Sequence, residues 1–337
     1  MRIKFKAVIT SIMSAVLTFG MASTAFAQTK EKPMNLRLAH GASERQAIGM
    51  GLLKFAELVS QKTGETVKVE THLGGSLYNE RTSIEAVVNG SVDFGGGSNA
   101  NWGAFTDTLI FMDLPYVFKD DESFRKVIDG EIGQEIKRRF EKNGFKLLMI
   151  LDNGSFRHVV NTRRSVKVPD DLKGMKMRTT ASPVEIAMFR NWGANPTAID
   201  WAEVYDALSS GVVDGEFVMY TWLDYAKHLE VLKFSTESKA VIGVQTLAMR
   251  KDKFDRLPAN IQQAILEAAA EAQAYSNERD AELLAISRQR AIDLGIKIYE
   301  PTPQEMVIWT DTGRQIWSQF DSKVEKDFLQ QVLDAQN

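Results

Sequence analysis

KGMKMRTTASPVEIAMFRNWGANPTAIDWAEVYDALSSGVVDGEFVMY, residues 173–220, is the stretch that decides the fold. It contains two helix starts, because Ser182 and Asp200 are good capping residues and each is followed three positions later by glutamate. Gly193 and Gly211 stand where the two helices should end, since glycine easily adopts the left-handed conformation found there. The stretch therefore predicts two short helices, each closed by a glycine.

A short strand, Met175–Arg178, precedes the first of these helices and ends on an arginine. An arginine at a strand end faces the N-terminus of the following helix, and that geometry favours anions. The alternative is an ordinary surface arginine in a βα unit. Arg178 is thus the first candidate for an anion-binding residue.

The first 27 residues differ in composition from the rest of the chain. Arg2, Lys4 and Lys6 precede an uncharged run, residues 7–27, that ends Ala25-Phe26-Ala27. This pattern is typical of a secretory signal peptide cleaved before Gln28, and a retained membrane anchor is the alternative. We predict export to the periplasm with residues 1–27 removed.

The composition and net charge of the chain exclude several classes of function. The chain of 337 residues is 44% hydrophobic and 25% charged, as in soluble globular proteins. Loss of residues 1–27 changes its formal charge from −3 to about −6, which disfavours binding to nucleic acid or anionic membranes. The sequence has no cysteine, so disulfides, thiolate chemistry and cysteine-ligated zinc are excluded.

A β-α-β-α-β pattern begins at Met34 and predicts a parallel sheet with ligands at the carboxyl edge of its strands. The loops that follow the strands, residues 40–43, 74–76 and 95–101, are candidate site walls. His40 lies in the first of them. In the third, Ser98, Asn99 and Asn101 offer hydrogen bonds, and Trp102 is placed to cover an apolar part of a ligand.

The run Gly95–Ala100 loosely matches a dinucleotide-binding motif. That motif belongs on the first strand of a fold, and an exported protein has little access to nicotinamide cofactors. A loop that lets a ligand approach the backbone closely is the better interpretation.

No catalytic motif or metal site is predicted. The four histidines, His40, His72, His158 and His228, show no i,i+4 spacing, although a dispersed metal site stays an alternative. An exported α/β protein with polar loops at its strand ends and no catalytic group suggests a solute-binding protein that closes on its ligand.

A long helix without Gly or Pro is predicted at about residues 259–294. At ~1.5 Å per residue it should reach across two domains. We predict one domain from residues 28–155 plus about 241–275, and a second from residues 156–240 plus about 276–337.

Several segments, in order, resemble the DctP-type solute-binding proteins of TRAP (tripartite ATP-independent periplasmic) transporters. Asp170–Arg178 is similar to the family's P-E-D-L-K-G-L-K-I-R, and Gly193–Thr197 to G-A-x-P-T-P. Trp201–Leu208 resembles W/F-x-E-V-Y-x-A-L, and Gly211–Gly215 resembles G-V-V-D-G. The resemblance implies an α/β, two-domain fold like that of type II periplasmic binding proteins, with parallel-rich mixed sheets and a hinged cleft.

The resemblance also implies roles for individual residues. Arg178 corresponds to the arginine that pairs in a bidentate way with the ligand's carboxylate, a geometry that lysine cannot provide. Arg157 corresponds to a second arginine near the ligand, and Trp201 to an aromatic residue that packs on it. The implied partners are an organic anion and the small and large subunits of a membrane permease driven by an ion gradient.

One position departs from the family pattern. The family commonly continues D-G-x-E-N-P, and its asparagine helps to hold the carboxylate, but Val218 stands there in this chain. Tyr220, Asn195 or a water molecule would have to replace it. We expect a monocarboxylate with an apolar or aromatic part; alternatively, Val218 only packs and the usual ligands bind.

The first hypothesis is therefore a periplasmic protein, not an enzyme and without a cofactor, that delivers an organic acid to a TRAP permease. A ligand-sensing module for a sensor kinase or chemoreceptor is the second. A secreted enzyme on the same scaffold is the third.

Overall fold

The computed structural model describes residues 33–337, and the predicted signal peptide lies outside them. In this part of the chain, no helix combines the length and the apolar character that crossing a membrane requires. Residues 33–337 form one compact unit.

The strands are β1 (Met34–Ala39), β2 (Val67–His72), β3 (Phe94–Gly95), β4 (Phe145–Phe156), β5 (His158–Asn161), β6 (Lys176–Thr179), β7 (Asn195–Ala198), β8 (Gly215–Val218), β9 (Phe234–Thr236), β10 (Ile242–Arg250) and β11 (Lys297–Tyr299). The helices are α1 (Ala47–Lys62), α2 (Glu80–Asn89), α3 (Asp121–Asp129), α4 (Glu131–Lys142), α5 (Pro183–Asn191), α6 (Val204–Ser209), α7 (Tyr220–Tyr225), α8 (Lys251–Asp255), α9 (Ala259–Asp293), α10 (Pro303–Arg314) and α11 (Lys326–Asp334). Short 3-10 helices lie at Asn99–Ala104, Asp107–Asp113, Pro169–Leu172, Trp201–Glu203, His228–Glu230 and Trp317–Phe320.

The strands form two mixed sheets. The first has the order β2-β1-β3-β10-β4, in which β1 pairs in parallel with β2 and β3, and β10 runs antiparallel to β3 and β4. The second has the order β11-β9-β5-β8-β6-β7, in which β5 runs antiparallel to β8 and β9 while the other neighbours are parallel. The predicted α/β class is confirmed.

The chain passes between the sheets three times: at two short crossings, and once through α8 and α9, which lead from β10 to β11. Arg157 joins β4 of the first sheet to β5 of the second, and residues 237–241 lead from β9 back to β10. Ser155 and Lys239, next to these crossings, have positive φ angles of 65° and 49°, uncommon for residues other than glycine. These two crossings are thus short and sharply turned.

The long helix is also confirmed, since α9 has 35 residues, or about 50 Å. It packs against α1 and β4. Three of its side chains, Gln273, Asn277 and Asp280, accept hydrogen bonds from the backbone N–H groups of Ile150, Asp152 and Gly154, respectively. Because β4 is an edge strand of its sheet, the helix satisfies N–H groups that would otherwise lack a partner.

Aromatic side chains fill the core on both sheets. Phe55 of α1 meets Phe94 edge to face with ring centroids 5.2 Å apart, and Trp102 meets Phe140 at 4.8 Å. On the second sheet, Phe189 of α5 packs against Phe217 of β8 at 5.6 Å. Sheet and helix faces are thereby joined without solvent between them.

The stretch 173–220 folds largely as predicted. Ser182 caps α5, its hydroxyl accepting from the N–H of Glu185, and Gly193 and Gly211 have φ angles of 77° and 72° after α5 and α6. Asp200 differs, because its side chain makes no capping hydrogen bond and a 3-10 turn, Trp201–Glu203, comes before α6.

Candidate functional site

A small cavity lies where residues of the two sheets meet, close to the crossing at Arg157. Its volume is about 50 Å³, much less than the ~300–1,000 Å³ of typical ligand pockets. We call it the arginine cavity, and it is lined by Glu80, Ser98, Asn153, Arg157, Arg178, Thr180, Trp201, Phe217, Val218, Met219, Trp222 and Gln245.

Arg178 is held in this cavity without a direct ion-pair partner among residues 33–337. The side chain is only 5% exposed, and its Nε donates to the backbone carbonyl of Ile199 at 3.0 Å. The guanidinium carbon lies 5.6 Å from the centre of the Trp201 ring. Burial lowers the pKa of Arg178, and the charges of Glu185, Glu216 and Glu80 oppose this shift. None of the carboxylates in residues 33–337 forms an ion pair with Arg178, since Glu185 pairs with Arg157 and Glu216 with His228. A buried cation without a paired anion is costly, so the site is suited to an anionic ligand.

Arg157 has a partner of its own. Its Nη1 lies 3.0 Å from a carboxylate oxygen of Glu185, and both side chains are buried. The hydroxyl of Thr180 donates to the same oxygen at 2.6 Å. Since Glu185 belongs to α5, this ion pair fixes α5 against the crossing between the sheets. Arg157 therefore contributes positive charge to the cavity while serving as a structural ion-pair partner.

Glu80, at the start of α2, organises the polar wall of the arginine cavity. One carboxylate oxygen accepts from Gln245 at 2.5 Å. The other accepts from Ser98 at 3.2 Å and from Asn101 at 2.8 Å. Of the predicted donors, Ser98 lines the cavity, whereas Asn101 does not. Both donate to Glu80, and Asn101 also donates to Ser98.

The opposite wall is apolar. Val218, Phe217 and Met219 are buried there, and Trp201 meets Trp222 edge to face with ring centroids 5.0 Å apart. Such a wall accepts a hydrocarbon or aromatic group next to the carboxylate site.

A buried carboxylate lies behind the ion pair. Asp113 accepts from the amide of Asn99 at 2.5 Å and from the hydroxyl of Ser182 at 2.8 Å. Burial raises the pKa of Asp113 to about 6, although the charge of Arg157 opposes this. Asn99 is therefore bound to Asp113 and does not line the cavity.

Four further residues singled out from the sequence lie away from the cavity. His40 is buried and bonded to the backbone of Thr246 and Ala42; burial lowers its pKa to about 4. Trp102 is buried in the aromatic core, with its Nε1 donating to Thr246 at 2.7 Å. Asn195 is exposed and bonded to the carbonyl of Gly174. Tyr220 turns to Ser235 and Glu237 and lies against His158 with ring centroids 4.3 Å apart, so in this structure it does not line the arginine cavity.

Other lining residues were missed by the sequence analysis, chiefly Glu80, Asn153, Trp222 and Gln245. Glu80 follows the candidate loop at residues 74–76. Its position after a strand was the only feature of the sequence that could have identified it as a site residue. Gln245 lies inside β10, where a polar residue in an otherwise buried strand indicates a specific partner. Among residues 33–337, no group of three or more acidic or histidine side chains is arranged to hold a metal ion.

Comparisons with known proteins agree with this arrangement. The family model for bacterial extracellular solute-binding proteins, family 7 (DctP), matches residues 38–323. A solute-binding protein of Verminephrobacter eiseniae is 34% identical over 93% of this chain and 91% of its own length. The 2,3-diketo-L-gulonate-binding periplasmic protein YiaO of Escherichia coli is 31% identical, covering 84% of each chain.

A solved structure gives the same result for the fold. The TRAP periplasmic solute-binding protein of Sulfurospirillum deleyianum, determined with bound succinate, superposes with a TM-score of 0.82 at 28% identity. The superposition covers 89% of this chain and 98% of that one. The predicted periplasmic-binding-protein architecture is thereby confirmed.

Proposed function

This chain belongs to the bacterial extracellular solute-binding proteins of family 7, and we propose that it captures an organic acid in the periplasm for a TRAP permease. Membership of a solute-binding family confirms the predicted resemblance and the expectation that the protein is not an enzyme. The periplasmic location is supported by the name of the Escherichia coli relative. Delivery to the small and large permease subunits, driven by an ion gradient, follows from the family.

The observation that carries the proposal is that the buried guanidinium of Arg178 is not ion-paired. It is 5% exposed and lines the cavity without an ion-pair partner in residues 33–337. A ligand carboxylate would supply the missing charge and accept two parallel hydrogen bonds from the free terminal nitrogens. Arg157 adds positive potential nearby, and Trp201 supports the guanidinium from one face.

We propose further that the ligand is a monocarboxylate with an apolar part next to the carboxyl group. Val218, where the family has asparagine, makes that side of the cavity apolar together with Phe217 and Met219. The relatives bind polar acids: succinate in one case, and 2,3-diketo-L-gulonate according to the name of another. A polar side chain that would hold such groups is missing at position 218.

The predicted domains, residues 28–155 plus 241–275 and residues 156–240 plus 276–337, are proposed to move about the two short crossings. The cavity between them is too small for an organic acid to enter while the protein keeps this conformation. Ligand entry then requires that the cleft opens.

A thermal-shift screen against organic acids, followed by calorimetry, tests the proposal. A ligand at 100 times its dissociation constant should stabilise the protein by about 2.7 kcal/mol. Arg178→Ala should weaken binding by about 2–5 kcal/mol, because the carboxylate would lose its charged partner. Arg190→Ala, which removes an exposed arginine of α5, is the matched control. Unchanged affinity in Arg178→Ala would refute the proposed role.

A further inference from the structure

A second cavity of about 320 Å³ adjoins the arginine cavity. It lies between the start of α1, helix α7 and the long helix α9, and we call it the outer cavity. Asn153 and Trp222 line both cavities, so these two side chains form the wall between them. The outer cavity has the size of a typical ligand pocket, whereas the arginine cavity does not.

The wall is closed by one side-chain hydrogen bond. Trp222 Nε1 donates to Asn153 Oδ1 at 2.5 Å, and both residues are buried. Asn153 belongs to the twelve-residue strand β4, whereas Trp222 lies on the six-residue helix α7. A rotation of the indole would break this hydrogen bond and the edge-to-face contact with Trp201, and would join the two cavities.

The outer cavity contains hydrogen-bond donors that lack partners. Gln46 is 6% exposed, and its amide nitrogen has no partner although its oxygen accepts from the N–H of Ser43. The guanidinium of Arg45 lies over the Tyr225 ring at 5.3 Å, and it has no ion pair within residues 33–337. Two of the three acids of this cavity are engaged, since Asp224 binds Arg290 at 2.8 Å and Asp280 accepts from the N–H of Gly154. The third, Glu230, is exposed.

We propose that Trp222 is a gate and that the outer cavity is a subsite for the far end of the ligand, an end that carries an oxygen acceptor. This inference rests on the proposed function, because the ligand's carboxylate lies at Arg178. The full ligand is then an elongated acid: a carboxylate at Arg178, an apolar middle against Val218 and Trp222, and a carbonyl, ether or similar oxygen near Gln46. A ligand of this kind would match both the apolar wall on one side of the Trp222 indole and the hydrogen-bond donors on its other side.

Three acids separate the elements of this proposal by calorimetry on the mature protein. With its carboxylate at Arg178, butanoate is too short to extend past Trp222. Octanoate is long enough to reach the outer cavity but carries no oxygen there, and 7-oxooctanoate carries an acceptor there. We expect 7-oxooctanoate to bind at least about threefold more tightly than octanoate, as one added hydrogen bond allows.

Two variants test the gate and the subsite. Trp222→Phe keeps an aromatic ring but loses the hydrogen bond to Asn153. It should raise the affinity for 7-oxooctanoate, relative to the affinity of the same variant for butanoate, by about three- to tenfold. Gln46→Glu keeps the acceptor for Ser43 but removes the donor, and should abolish the preference for 7-oxooctanoate over octanoate. Melting temperatures within a few degrees of the unaltered protein show that both variants fold.

The outcomes distinguish this inference from the proposed function. One outcome is that butanoate binds and that the relative affinities of the three acids are the same in the unaltered protein, Trp222→Phe and Gln46→Glu. That result overturns the gate and leaves the anion site in place. Failure of all three acids to bind the unaltered protein overturns the proposed monocarboxylate and the gate together.

Discussion

At the scale of single residues, the account depends on a buried arginine that is oriented but not ion-paired. The carbonyl of Ile199 and the ring of Trp201 fix the guanidinium of Arg178 through weak, largely uncharged contacts. Its neighbour Arg157 differs in having Glu185 as a buried ion-pair partner. The two arginines of this cavity thus differ: Arg157 is ion-paired to α5, and we propose that Arg178 binds the ligand.

Val218→Asn tests the position at which the chain departs from its family. The new amide should donate to a bound carboxylate and raise the affinity for small acids such as succinate by about tenfold, since hydrogen bonds to charged groups contribute about 1.5–3 kcal/mol. Val218→Leu has nearly the same shape as asparagine without its donors, and it is the matched control. Equal affinities of the two variants, measured by calorimetry, would show that Val218 only packs.

The contacts of single residues are also the feature that the sequence predicts least well. Arg178, Arg157, Trp201, Val218 and Ser98 were singled out and do line the cavity. Trp102, placed in a polar loop by the sequence, is buried because its indole fills the space between Phe140 and Phe145. The hydrogen bond between Trp222 and Asn153 joins residues 69 positions apart, and no local sequence pattern predicts such a contact.

At the scale of elements, the long helix α9 acts as a cover for the edge of β4. Gln273, Asn277 and Asp280 follow each other at helical spacing, and the N–H groups that they bind follow at the two-residue spacing of a strand. The length and bounds of α9 are predictable from the absence of Gly and Pro. Its use of polar side chains against a strand edge is not, because helical periodicity shows only which face is apolar.

Asp280 gives this contact a dependence on pH. Burial raises the pKa of Asp280 from 3.8 to about 7, and the hydrogen bond from Gly154 opposes the shift. A carboxyl group with a raised pKa in the folded state loses stability as pH rises from about 4 through 7, because it must ionise while buried. The cost at pH 8 is at most about 4 kcal/mol.

Asp280→Asn should therefore raise the melting temperature by several degrees at pH 8 and by much less at pH 5. The asparagine oxygen can still accept from Gly154, so the contact between helix and strand is kept. Asp293→Asn, at the exposed end of α9, is the control and should change the melting temperature equally little at both pH values. A gain of the same size at pH 5 and pH 8 would contradict the assigned cause.

At the scale of the whole molecule, two sheets are joined by two short crossings and braced by one helix. The sequence predicts this division in outline, because a β-α-β-α-β pattern, a crossing near Arg157 and a long helix can each be recognised in it. Sheet order depends on pairings between distant segments, such as the pairing of β10 with β3 and β4, and these have no local signal.

The small size of the arginine cavity leads to a prediction about the shape of the molecule. If the structure represents the closed state, the ligand-free protein in solution should have a larger radius of gyration than the structure, and ligand should reduce it. Small-angle X-ray scattering with and without a tight ligand measures this change. Arg178→Ala at the same ligand concentration should not contract; contraction in that variant, or in neither protein, would contradict closure on a bound anion.

The central claim is that a ligand carboxylate binds the free guanidinium of Arg178, and a crystal structure with the best ligand of the screen tests it most directly. The account predicts both carboxylate oxygens about 2.7–2.9 Å from Arg178 nitrogens, with the apolar part of the ligand against Trp201 and Val218. A ligand bound elsewhere, or one whose carboxylate faces away from Arg178, would contradict it.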